Sequence, residues 1–154
     1  MSKKIIELLL EHENELVAFY SLCFAKYPEY TDDWKFLIGE EKRHAQIIEK
    51  LIEKIDNKTI YLQENRFKER PVKISLDYIR DSERRIETGE VNLLGALSIA
   101  YSIEDSFIEK SYYEIFAGSS ENLNRFLKQL HEETIKHRER MKSMLEKERK
   151  KSGF

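Results

Sequence analysis

Apolar residues at Ile5, Leu8, Leu9, Leu16, Phe19, Tyr20 and Cys23 recur at helical spacing, and Pro28 bars the pattern from running far beyond Lys26. A stretch this long with one oily face predicts an α-helix. Thr31, with Asp32 and Asp33 behind it, has the chemistry of an N-cap and acidic first turn. It opens a second helix through Trp34, Leu37, Ile38, Ile47, Ile48, Leu51 and Ile55. Periodicity then fades, Pro71 falls in the gap, and Ser75-Leu76-Asp77 predicts the cap of a short helix ending near Gly89. Asn92 opens a third long helix expected to run through Leu94, Leu97, Ala100, Tyr101, Phe107 and Ile108 to Phe116. Gly118-Ser119-Ser120 should end it and cap a fourth, through Leu123, Phe126, Leu127, Leu130, Met141 and Met144.

The expected fold is therefore all-α in a single domain: hairpin one over about 3–56, a crossover over about 57–91, and hairpin two over about 92–150. Five glycines and two prolines in 154 residues are too few for a turn-rich β fold. Two helical hairpins joined by one long crossover that contains a short helix match a four-helix bundle with ferritin-like topology.

Charge excludes several functions. The 29 acidic and 27 basic residues are interspersed, so no nucleic-acid footprint is visible. Glu7 and Glu11 interrupt the apolar start, which is neither a signal peptide nor a membrane span, and the reading is a soluble, cytoplasmic protein. One cysteine, Cys23, rules out an internal disulfide or a four-cysteine metal site and sits in register with core positions. No Ser/His/Asp or Cys/His arrangement and no glycine-rich phosphate loop is present.

The two hairpins align on His44 and His137. Glu13 precedes the first by 31 residues and Glu104 precedes the second by 33. Leu9, Leu16, Val17 and Tyr20 surround Glu13 at spacings of three, four and seven; Leu97, Ala100, Tyr101, Phe107 and Ile108 surround Glu104. Residues so spaced share a helix face, so both acids should point into the bundle, as should Glu41 and, one turn on, His44. Several unpaired carboxylates in one core would be costly unless they share protons or a cation. Carboxylates with one imidazole per hairpin suit iron or manganese, and the Glu-x-x-His spacing lets two side chains of one helix reach one ion.

The segments ENELVAFY and EEKRHAQII, with SIAYSIEDSFIEKSYYEIF and LHEETIKHRERM in the second half, resemble the rubrerythrin-like branch of the ferritin-like superfamily. The resemblance covers nearly the whole chain apart from the crossover. It implies two irons, with manganese or zinc as alternatives, and an oxidoreductase acting on peroxide or dioxygen. Matched position by position, Glu13, Glu41, His44, Glu104 and His137 would be metal ligands; Tyr20 could hydrogen-bond one of them or donate an electron, with ordinary core packing the equal alternative.

The pattern is broken at Thr134, where the second bridging glutamate would stand. Glu133, one residue earlier, is a candidate replacement, with a partly exposed acid the equal alternative: with His137 at zero, Thr134 lies about 60° to one side and Glu133 about 40° to the other, so it would need a rotated helix. A further family carboxylate would fall at Phe107, and without a rubredoxin-like module the electrons would come from an external donor. His131 is a weaker substitute ligand, and His12, bordering the solvent side, is read as having no role. The competing expectation is a bundle with a degenerate or mononuclear site that serves as a binding or structural module, and a homodimer is compatible with either.

Overall fold

A computed structural model describes residues 2–57, 61–62, 69–106, 116–117 and 121–153. Its five described α-helices are α1 (Ser2–Lys26), α2 (Thr31–Asp56), α3 (Glu69–Glu87), α4 (Leu93–Asp105) and α5 (Glu121–Lys151). They form a helical bundle in which α1 packs against α2 and α3, and α4 packs against α5. The described residues otherwise hold a 3-10 turn at Pro28–Tyr30 and a two-residue antiparallel pairing of Tyr61–Leu62 with Phe116–Ala117. No described helix is long and apolar enough to cross a membrane.

Three helix boundaries differ from expectation. Thr31 is not the N-cap of α2: the 3-10 turn runs straight into the helix, so Thr31 already has helical dihedrals and its hydroxyl donates to the Pro28 carbonyl at 2.7 Å. The crossover helix is not short. α3 spans 19 residues because Pro71 falls in its first turn, where a missing N–H costs no intrahelical bond. Its end does follow expectation: Gly89 has φ +80°, and Gly89 and Glu90 N–H groups bond back to Ile86 and Arg85 carbonyls, a Schellman closure.

The third correction concerns α4, which does not continue to Phe116. Asn92 caps its start by accepting from the Gly95 N–H at 2.8 Å. Its end comes at Asp105, because Ser106 turns extended (ψ 150°) and its hydroxyl takes the Ile103 carbonyl at 2.7 Å. Phe116 belongs to the short strand. The expectations for Phe107, Ile108 and Gly118-Ser119-Ser120, and for the side chains of Leu123 and Phe126, lie outside the described residues.

The apolar core is split in two. One cluster gathers Leu16, Phe19, Trp34, Leu37, Leu97 and Met141 with their neighbours. The other gathers Ile6, Leu9, Ile48, Leu51, Leu76 and Leu130 with theirs. On each of three helices the polar residues fall between these clusters: Glu13 between Leu9 and Leu16, Glu41 and His44 between Leu37 and Ile48, Thr134 and His137 between Leu130 and Met141. Glu104 follows Ile103, the last α4 residue of the first cluster. A polar layer thus interrupts the core halfway along the bundle.

Candidate metal centre

The five ligand positions that the resemblance matches are inside, whereas Glu133 is not. Glu41, His44 and Glu104 are fully buried, Glu13 is 2% exposed and His137 3%. Glu41, His44 and His137 converge so that one ligand atom from each lies within 4.8 Å of the others. The Glu41 carboxylate stands between the imidazoles, with Oε2 3.5 Å from His44 Nδ1 and Oε1 3.9 Å from His137 Nδ1. The two rings are stacked, 5.4 Å between centroids and 24° apart in plane.

Glu13 joins this group from α1, its Oε2 4.0 Å from His44 Nδ1. Glu104 enters from α4 and accepts a 2.5 Å hydrogen bond from the Tyr20 hydroxyl. Tyr20 is itself fully buried against Trp34, so the same residue packs in the core and bonds a buried carboxylate.

Thr134 and Glu133 take different places. Thr134 is fully buried, but its hydroxyl donates to the His131 carbonyl at 2.7 Å and brings no charge to the centre. Glu133 stays on the outer side, one-fifth exposed, with an ion pair to Arg43 and its Oε2 3.6 Å from His44 Nε2. It faces the far nitrogen of His44, whereas Glu41 faces the near one. His131 is not part of the converging group.

Several participants carried no signal in the sequence. Glu40 accepts a hydrogen bond from His137 Nε2 at 3.3 Å, and Arg43 Nε donates to Glu40 at 3.1 Å. Phe36 covers His137 edge-on, 6.0 Å between centroids, and is in turn covered by the Arg140 guanidinium, which Asp33 holds at 2.8 Å. His12 also departs from its expected place: it is fully buried, with Nε2 2.8 Å from Ser75 Oγ, tying α1 to α3.

Charges in this layer are strongly coupled. Burial alone would push the Glu41 carboxyl up, but the adjacent Glu13 carboxyl, His44 and His137 outweigh it and hold Glu41 below the usual carboxylate range. Burial opposes charge on His44 too, yet Glu41 beside it pushes the imidazole up. His137 goes down, because burial prevails over the pull of Glu41 and the charge of His44 adds to it. For Glu40, about one-fifth exposed, burial is outweighed by Arg43 and His137, and its carboxyl is lowered.

The polar atoms at the centre are poorly satisfied. Neither Glu41 oxygen, nor Nδ1 of His44 or His137, has a hydrogen bond of good geometry among the described residues. Native cores leave few such atoms, and a cation would satisfy all four at once. The Glu41, His44 and His137 cluster could hold a metal ion. No protein-family model, curated protein or solved structure matches the chain.

Proposed function

We propose that this protein is a rubrerythrin-like, non-haem iron oxidoreductase of ferritin-like architecture, acting on peroxide or dioxygen with electrons from an external donor. The observation that carries this reading is the Glu41 carboxylate buried between two imidazoles whose Nδ1 atoms face it. Two histidines and one carboxylate are a donor set of non-haem iron, and they also accept manganese or zinc. These three groups suffice for one ion; Glu13 beside His44 and Glu104 held by Tyr20 offer the carboxylates that a second would need.

Bound iron would supply the redox chemistry at this centre. The chain's own contribution is positional. Tyr20 holds Glu104 in one orientation, Phe36 and Arg140 cover His137, and the two apolar clusters keep water from the flanks of the centre.

A second reading, a metal-binding or structural module with a mononuclear or degenerate site, is favoured by one observation: Thr134 turns its hydroxyl away to the His131 carbonyl. Metal content after growth with iron and manganese, measured by plasma mass spectrometry beside Glu41→Ala, tests both. About two irons or manganeses per chain, lost in the variant and accompanied by reductant-dependent peroxide consumption, is the expected result. About one ion without turnover selects the second reading. No stoichiometric metal overturns the proposal.

A further inference from the structure

The outer faces of α2 and α5 carry matching residues, Glu40 four positions before His44 and Glu133 four before His137. Neither acid pairs with the histidine of its own helix. Glu40 Oε1 accepts from His137 Nε2 at 3.3 Å, and Glu133 Oε2 lies 3.6 Å from His44 Nε2, so each carboxylate reaches the histidine of the other helix. Arg43 spans the pair, donating through Nε to Glu40 at 3.1 Å and through Nη2 to Glu133. A guanidinium holds its donors in one rigid plane, which lets a single arginine fix two carboxylates at once.

An imidazole that donates its proton from one nitrogen presents a lone pair at the other. With carboxylates at both Nε2 atoms, the lone pairs of His44 and His137 fall at Nδ1, the side that faces Glu41. A neutral partner at Nε2 would orient the ring less firmly, because hydrogen bonds to ionised acceptors are the stronger ones. The two arms are unequal: His137 has a hydrogen bond to Glu40, whereas His44 has only a longer charge contact to Glu133.

We infer that Glu40, Glu133 and Arg43 form a clamp across α2 and α5 that sets Nδ1 as the metal-binding nitrogen of both His44 and His137. They are positioning residues, and the inference rests on the metal-binding reading above. Its tautomer component holds in the metal-free protein as well.

The test uses the full chain labelled with 15N-histidine, observed by long-range proton–nitrogen correlation without metal and with zinc(II). The metal-free protein should show His137 as the Nε2–H tautomer, and zinc should shift Nδ1 of both histidines. Glu40→Ala should mix the His137 tautomers and weaken zinc binding about 10- to 100-fold, the range for loss of an outer partner of a ligating histidine. Glu40→Gln, which keeps an acceptor oxygen, should recover most of that loss, and Glu133→Ala should cost less than Glu40→Ala. An Nδ1–H tautomer at His137, zinc on Nε2, or a Glu40→Ala protein with unchanged tautomer and affinity would each overturn the clamp. If zinc shifts neither histidine, the metal-binding reading falls, while the metal-free tautomer of His137 still decides the orienting role.

Discussion

α2 and α5 bring nearly the same residues to the centre, an outer acid and then a histidine four places on, yet their histidines behave oppositely. His44 is pushed up and His137 down. The difference lies in the position between. On α2 it is Glu41, whose carboxylate sits 3.5 Å from His44 Nδ1; on α5 it is Thr134, a neutral group bonded to its own helix. That carboxylate lifts His44 against its burial, whereas at His137 its pull is overcome by burial and by the charge of His44, and the α2 half holds most of the charge that a cation would meet. A fully buried threonine costs little without metal, whereas a second buried carboxylate there would need one.

The comparison breaks first if Glu41 and Thr134 prove equivalent. Glu41→Ala should weaken iron(II) or zinc(II) binding about 1,000-fold, about 4 kcal/mol, whereas Thr134→Ala should change it less than about threefold. Competition titration with a coloured chelator measures both. Supplying the missing charge reverses the logic: Thr134→Glu should destabilise the metal-free protein by about 3 to 4 kcal/mol in urea unfolding. Metal should restore that stability; a variant equally stable with and without metal would show that the α5 position does not face the centre.

Proton linkage separates the two histidines by sign. A buried imidazole with a lowered pKa contributes stability above its unfolded value near 6.5 and loses it as pH falls; one with a raised pKa contributes below that value and loses it as pH rises. In the metal-free protein, replacing His137 by Asn should flatten the acid limb of the stability profile, and replacing His44 should flatten the alkaline limb. His12 adds a background to the acid limb, since burial lowers its pKa to about 4, worth about 3 kcal/mol over that interval. Thermal melts across pH 4 to 8 read all three, and identical limbs for the His44 and His137 variants would remove the asymmetry. The smallest expected effect is Tyr20→Phe, which deletes the bond to Glu104 and should cost about 1 kcal/mol of stability.

The inward placement of Glu13, Glu41, His44, Glu104 and His137 was legible because helical spacing ties each to apolar neighbours on the same face. The bundle's helices were legible for the same reason. What escaped depends on contacts between helices or on local competition for backbone bonds. Glu40 looks like any exposed acid until α5 brings His137 beside it, and Arg43 like any surface cation until Glu133 meets it. Pro71 read as a break because its place in a first turn cannot be told from its neighbours, and Ser106 stopped α4 through a bond to Ile103 that its sequence does not advertise.

The split core bears on how the molecule opens. α1, α2, α3 and α5 each thread both apolar clusters, whereas α4 reaches only one of them. Buried apolar contact is what makes neighbouring segments unfold together, so a polar layer of mutually repelling and weakly bonded groups is a natural seam between two cooperative units. A cation gripped from both sides of that seam would act as a rivet. Loading would then do more than equip the protein for chemistry: it would join two separately breathing ends into one.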